Sequence, residues 1–582
     1  MSVRVAIPIL YATIKLHIEK GRQWNIIEHL LLHRLVEGPA TAATLSQDST
    51  LPWRLVVEVM IRLMRVGWVE LHALDGETSF RITQVGSAVA ELESLPKVTR
   101  PLSKHASFAV DKVSGTVFRS REFPNLYTSN RLNKLMEGVD VRVLAPTSDL
   151  PKPKPAKVIE TLLDEDEECR AIDASGARSV DRFAVVTVVG ATIDGLPQRA
   201  SPQLKRAIMQ AAASPESGAL DEASVETTPH TTSIASEVFN NVIFNHDDLI
   251  VGGSEHKVMF ERILRRASSR IVIHSTFIDP QRFRSHLPLI EAAAKKGVRV
   301  DILWGKSDDD EGKNATAEAA SACRAMLLND VVRERVHLHG VSTDSHAKII
   351  LADNGDKSYT ALLGSCNWLS SGFNSFEATV LLREPKVVAE IAGTLSAMTL
   401  GSGGAWMPIT RELASLSSSI KNGKRPKTGG TVKMSLVFGS EHGAYVRRAR
   451  DDAKSTITVG SHRFSANAEP LVLVPLEAAA KAKGIEVSMF YGRVDGHDGG
   501  TRAVNLSFNA QTNGLKVHQI LDPRLHAKIL AWDDDNVVVT SLNWLSADPP
   551  QTAPYSEIGI HIAGPGVARE LVSRMKVALV GI

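Results

Sequence analysis

His346 and Lys348 stand two residues apart, and so do His526 and Lys528. Of the 19 histidines in the chain, only these two have Lys at that spacing. In extended backbone, alternate side chains share a face, so each His–Lys pair is expected to point one way from a strand. Burial favours the neutral forms of both residues, and an anion facing them would offset that penalty. Imidazole can take and give a proton near neutral pH, and ammonium groups can neutralise phosphoryl oxygens. Asp353 and Asp533 each follow the Lys by five residues. Ser365-Cys366-Asn367-Trp368-Leu369-Ser370 then recurs as Ser541-Leu542-Asn543-Trp544-Leu545-Ser546. Two buried strands with satisfied histidines would not require all these features twice. The expected site is a phosphate facing two His, two Lys and two Asn. Asp353 and Asp533 are expected to brace the local loop and strand, and Ser365 and Ser541 to support the phosphate pocket.

These spacings, H-x-K-x4-D followed by S-x-N, resemble the phospholipase D superfamily over about residues 240–582. That superfamily includes phospholipases, phosphatidyl transferases, nucleases and tyrosyl-DNA phosphodiesterases. The resemblance implies two pseudo-symmetric α/β lobes that build one site within one chain. It implies a ping-pong reaction in which one histidine forms a covalent phosphohistidine while the other protonates the leaving group and then activates water. By analogy His346 is the nucleophile and His526 the acid, and the reverse assignment also fits. Lys348, Lys528, Asn367 and Asn543 would bind the non-bridging oxygens, with no cofactor and no catalytic metal. Glu377 and Glu557 follow their Asn, where the family places an acidic residue that orients a histidine; the competing reading is a solvent-facing strand carboxylate. The second copy departs from the pattern at Thr540, which stands where the first has Gly364. A larger residue there predicts a less tight loop.

The elements that must position these residues also repeat. Gly253-Ser254-Glu255-His256 returns as Gly439-Ser440-Glu441-His442, and at the same offset Ser275 meets Ser461. A buried strand, a helix closed by Gly297 or Gly484, a further strand and the His–Lys element follow in each half, which predicts an α/β lobe. Lobe 1 is expected at 237–400 and lobe 2 at 431–582. His256 and His442 lack a Lys partner at that spacing and read as structural. Between the lobes, 401–430 reads as a basic Gly-rich linker. Its Lys421, Lys424, Arg425 and Lys427 would either be solvated or contact substrate phosphates.

Residues 1–100 are expected to hold a winged-helix domain: three helices, a hairpin turning at Asp75-Gly76, and a last helix. Its third helix carries Arg54, Arg62 and Arg65, candidates for nucleic-acid contact; winged helices also mediate protein contacts. Residues 101–213 read as a mixed α/β region of unknown role, with an extended Pro151–Pro155 connector. The acidic run Asp164–Glu168 reads as a solvated helix face, and 214–236 as a flexible linker. Asp308–Glu311 fits no closed metal-ligand set.

The formal net charge is +2 and hydrophobic residues make up 43% of the chain, so whole-chain charge does not announce a partner. Cys169, Cys323 and Cys366 are too few and too dispersed for a disulfide framework. There is no secretory-signal layout and no apolar run of membrane-spanning length, so a cytoplasmic setting is expected. Three functions compete. The first is a nuclease, for DNA above RNA, in a chain whose domain company resembles restriction or phage-defence effectors. The second is a phospholipid phosphodiesterase or transferase, which would share every catalytic residue. The third is a non-catalytic DNA-binding scaffold, against which the intact double motif argues. Protein partners would dock through the winged-helix or middle region.

Overall fold

The computed structural model describes every residue except 1, 22–23, 75–76, 93–94, 97–98, 148–152, 165, 174–178, 214–238, 306–314, 328–329, 402–403, 496–500, 550–552 and 581–582. The expected linker 214–236, the Asp75-Gly76 turn, the Asp308–Glu311 cluster and the start of the Pro151–Pro155 connector lie wholly or largely outside the described residues. The chain forms two compact units: Met1–Tyr11 with Ala109–Ile159 and Val180–Ile582, and Ala12–Phe108 with Glu160–Ser179.

The smaller unit contains helices Ile26–Arg34, Ala42–Ser49 and Trp53–Arg65, strands Val69–Leu74 and Glu77–Ile82, and helix Gln84–Ala90. Leu31, Leu32, Leu45, Val56, Met60, Leu63, Trp68 and Phe80 form its core. On the third helix, Arg62 reaches the buried Glu28 at 3.1 Å and Glu58 at 3.2 Å, so it braces helices instead of presenting a free charge. Arg54 and Arg65 are exposed. Glu167 and Glu168 lie on a strand, Glu167–Asp173, and not on a helix face. That strand pairs antiparallel with Lys15–Lys20 of a 19-residue strand beginning at Ser2. The Glu167 side chain is 3% exposed and pairs with both Lys104 and Lys20.

The larger unit contains two sheets with the same internal order. In the first lobe the strands run Leu249–Val251, Ala378–Leu382, Tyr359–Gly364, Ile349–Asp353, Arg270–Ser275, Arg299–Trp304, Val336–Leu338. In the second they run Gly430–Phe438, Ile558–Ala563, Asn536–Thr540, Ile529–Trp532, Thr456–Phe464, Glu486–Val494, Lys516–Gln519. Asn240–Phe244 precedes the first lobe in sequence yet adds to the second lobe's sheet, antiparallel to Gly430–Phe438. The assignment of 237–400 to one lobe is corrected to that extent.

The central strands are apolar on both faces, as strands covered on both sides must be. Ile349 and Leu351 join Leu363, Ile529, Val539 and Ile560 in one core shared by the two lobes. Ile350 and Ala352 face a second core with Phe260, Phe283 and Ile302. The shared core also receives helices Pro385–Met398, Pro408–Ile420 and Val567–Val580.

Helix Pro408–Ile420 corrects the reading of 401–430 as a linker. Ile409, Leu413 and Ile420 are buried with helical spacing, a signal set among Ser, Thr, Arg and Glu between Gly-rich and Lys-rich flanks. Beyond it, Arg425 pairs with Glu384 at 2.9 Å and donates to the Asn241 carbonyl. Pro155 opens a helix to Leu162, and Lys154 just before it is half-buried with its Nζ 4.3 Å from the centre of the Phe438 ring. No helix among the described residues is long and apolar enough to cross a membrane.

Candidate active site

His346 and Lys348 do not lie on a strand, nor do His526 and Lys528; their strands begin at Ile349 and Ile529. The reason lies in the partners of the backbone. The His346 N–H donates to the Ser556 carbonyl at 2.7 Å, and the N–H groups of His526 and Ala527 donate to the Phe376 carbonyl at 2.9 and 2.8 Å. Each His–Lys segment thus bonds to the other lobe's loop before it enters its own sheet. Lys348 Nζ and Lys528 Nζ each donate back to the carbonyl of the preceding His. Lys348 also donates to Thr276 Oγ1 at 2.7 Å.

Both lysines are fully buried, a placement that requires compensating charge. Glu377 and Glu557 supply it. Glu377 Oε1 lies 2.8 Å from His526 Nδ1, and Glu557 Oε1 lies 3.0 Å from His346 Nδ1. The pairs are crossed: each lobe's carboxylate serves the other lobe's histidine. Ser365 and Ser541 hydroxyls donate to Glu377 and Glu557, holding the carboxylates in place.

Burial and the nearby lysines push both histidines down to about 4. The histidines in turn help to hold Glu377 and Glu557 at about 2, against the opposing effect of burial. Burial lowers Lys528 to about 8. At neutral pH each ring is therefore neutral, its Nδ1 beside a carboxylate and its Nε2 lone pair left for chemistry.

His346, Asn367, Glu377, His526 and Asn543 line one cavity of about 260 Å³, together with Phe277, His462, Arg463 and Arg524. The Oδ1 atoms of Asn367 and Asn543 are buried without a hydrogen-bond partner among the described residues. The cavity lining does not include Lys421, Lys424, Arg425 or Lys427. Arg54, Arg62 and Arg65 belong to the other unit.

Asp353 accepts from the backbone N–H groups of Ser268, Ser269 and Arg270. Asp533 accepts from those of Lys454, Ser455 and Thr456. Both tie the end of the His–Lys strand to the start of its neighbour. His256 Nδ1–H donates to the Gly252 carbonyl, and its Nε2 accepts from Thr379 Oγ1 at 2.8 Å. His442 bonds likewise to the Gly439 carbonyl and to Thr540 Oγ1 at 2.7 Å.

Those threonines explain the departure at position 540. Gly364 faces Thr379 across the first sheet, and Thr540 faces Gly559 across the second. A Cβ on Gly364 would meet Thr379 Cα at 2.5 Å, and one on Gly559 would meet Thr540 Cβ at 2.7 Å. One glycine and one threonine occupy each cross-strand pair in opposite order, and the hydroxyl reaches the same histidine. The expected looser loop is not found.

Sequence reasoning missed Thr276, Phe277, His462, Arg463 and Arg524. The repeat offset of 186 that aligns Ser275 with Ser461 carries Thr276 onto His462 and Phe277 onto Arg463.

Residues 260–399 match the family model described as cardiolipin synthase, PLD-like domain. Residues 260–399 thus carry a phospholipase D-like domain. Among solved structures the chain is similar to a phosphatidylserine synthase of Haemophilus influenzae Rd KW20. That match has 14% identity and a TM-score of 0.42, over 58% of this chain and 87% of that one. It is also similar to a yeast tyrosyl-DNA phosphodiesterase mutant, at 10% identity and a TM-score of 0.34, over 54% and 89%. NucT from Helicobacter pylori matches at 12% identity and a TM-score of 0.19, over 25% and 92%. No curated protein sequence matches the chain.

Proposed function

We propose that this protein is a metal-independent phosphodiesterase that cuts nucleic acid, with DNA as the preferred substrate. The observation that carries the reading is the crossed pair of histidines at one cavity, each within 3.0 Å of a buried carboxylate, with a buried lysine bonded to the backbone carbonyl of each histidine. His346 Nε2 attacks phosphorus and the bond to the leaving oxygen breaks. His526, protonated once the anionic phosphate is bound, gives its proton to that oxygen. His526 then takes a proton from water; the hydroxide attacks phosphorus, the P–N bond breaks, and His346 is released neutral. Lys348, Lys528, Asn367 and Asn543 stabilise the charge on the non-bridging oxygens. Glu557 and Glu377 hold the two rings in the tautomer that the reaction needs.

Support for nucleic acid comes from Arg463 and Arg524 at the cavity and from the amino-terminal helices and hairpin with exposed Arg54 and Arg65. The expected cytoplasmic setting and a restriction or phage-defence role belong to the same reading. A phospholipid phosphodiesterase or transferase is the second reading, favoured by the description of the matching family model.

The test is turnover of single- and double-stranded DNA, RNA and phosphatidylcholine vesicles in EDTA, by the wild type, His346→Ala and His526→Ala. Nucleic-acid cleavage that persists in EDTA and disappears in both variants is expected. Lipid turnover with inert nucleic acid would overturn the first reading in favour of the second.

A further inference from the structure

The cavity is not symmetric about its two histidines. At the repeat offsets of 186 and 180, Thr276 corresponds to His462, Phe277 to Arg463 and Asp344 to Arg524. On the first lobe, Thr276 accepts from Lys348 and donates to the His346 carbonyl at 2.9 Å. On the second lobe, His462 occupies the equivalent place, its ring centre 4.8 Å from that of His526.

His462 is arranged to hold an arginine. Its Nδ1–H donates to the Leu525 carbonyl at 2.9 Å. That leaves the Nε2 lone pair to accept from Arg524 Nη2 at 3.0 Å. Burial, then the neighbouring His526 and Lys528, pushes His462 down to about 2, so the ring stays a neutral acceptor. Among the described residues no carboxylate pairs with Arg524. Arg463 lies 3.2 Å from Asp495, but the same carboxylate also lies 3.2 Å from Arg493. The second-lobe wall carries positive charge that the two-histidine reaction does not use. The corresponding first-lobe positions hold an aromatic ring and a carboxylate.

We propose that Arg524, positioned by His462, and Arg463 bind a second phosphate of the substrate, next to the scissile one on the second-lobe side. Guanidinium groups suit such a phosphate because their planar donor sets match its oxygens. The proposal rests on the nucleic-acid reading above and deepens it. A polynucleotide offers a neighbouring phosphodiester beside each scissile bond, whereas a simple diester does not. The enzyme would then favour a strand with at least one phosphodiester beyond the bond it cuts, and the asymmetry would set the direction in which the strand lies.

The test compares a single-stranded oligothymidylate with bis(4-nitrophenyl) phosphate, which has one diester and no neighbouring phosphate. The wild type, Arg524→Ala, Arg524→Lys, Arg463→Ala and His462→Ala are assayed on both across a salt series. Arg524→Ala is expected to lose about 10–100-fold more kcat/KM on the oligonucleotide than on the small diester, mainly through KM. The slope of log KM against log salt should fall by roughly 0.7 for each arginine removed. Arg524→Lys should restore part of the loss, and His462→Ala should share the KM defect. Equal losses on both substrates would overturn the proposal, as would an unchanged ratio in every variant. A wild type that hydrolyses the small diester but no oligonucleotide would instead refute the nucleic-acid reading, and this inference with it.

Discussion

Glu377 Oε1 stands 2.8 Å from His526 Nδ1, although the two residues belong to different lobes. Glu557 and His346 form the reciprocal contact at 3.0 Å. Neither lobe contains a complete histidine–carboxylate pair, so the site exists only when both lobes are in register over their shared core. The crossing makes the two carboxylates distinguishable by experiment. Glu557→Gln should impair the proposed nucleophile, and Glu377→Gln the proposed acid. Each is expected to reduce kcat by about 100-fold or more on an oligonucleotide. With a 4-nitrophenyl leaving group, which needs little protonation, Glu377→Gln should recover more activity than Glu557→Gln. The opposite ranking would exchange the roles of the two histidines.

The pH dependence follows from the buried charges. Both histidines are held near 4 in the free protein, yet one must carry a proton to act as the acid. kcat/KM should therefore rise as pH falls from about 8 toward 5, and decline only when both rings become protonated. A bound phosphate favours the imidazolium, so the kcat profile should lie at higher pH than that of kcat/KM. Loss of the Lys528 charge near pH 8 adds a second fall on the alkaline side. Parallel profiles of kcat and kcat/KM would contradict this account.

The exchanged Gly–Thr pairs yield a packing prediction. Gly559→Ala places a methyl group 2.7 Å from Thr540 Cβ and should destabilise the protein by about 1–3 kcal/mol. Gly364→Thr should be at least as harmful. Adding Thr379→Gly to it recreates the second lobe's arrangement and should recover most of the loss. Urea unfolding of the two single variants and the double variant measures this coupling; additive losses would refute it.

Asp353 provides a stability test away from the cavity. Backbone N–H groups overcome the cost of burial and hold its carboxyl at about 2, below the ordinary 3.8. A depressed carboxylate stabilises the fold above its unfolded pKa, and the contribution is lost as pH falls through the folded value. Asp353→Asn should therefore cost on the order of 2 kcal/mol at pH 7, with the difference from wild type closing between about pH 4 and pH 2. A constant difference across that range would show that the charge is not the cause.

The two His–Lys–Asn sets were legible because they occur twice, and the strands and helices around them were legible for the same reason. Which carboxylate serves which histidine was not, because sequence carries no distance between lobes. His462 and Arg524 escaped notice because they break the repeat: Thr276 and Asp344 occupy the matching positions, and comparison of equals passes over them. The helix Pro408–Ile420 was hidden by composition, since Ile409, Leu413 and Ile420 are set among Ser, Thr, Arg and Glu between Gly-rich and Lys-rich flanks. His346–Lys348 was foreseen as a strand, but the His346 N–H donates to the Ser556 carbonyl of the other lobe, a partner that no local pattern encodes.

The most direct measurement is the covalent intermediate itself. A labelled oligonucleotide would be mixed with the wild type in EDTA and quenched within one turnover under denaturing alkaline conditions, which preserve a phosphoramidate bond. The adduct would then be located by peptide mass spectrometry. A nucleotide joined to His346 through a phosphoramidate P–N bond, absent in His346→Ala, is the expected result. Cleavage without an adduct on either His346 or His526, persisting when both are replaced by Ala, would contradict the two-histidine account.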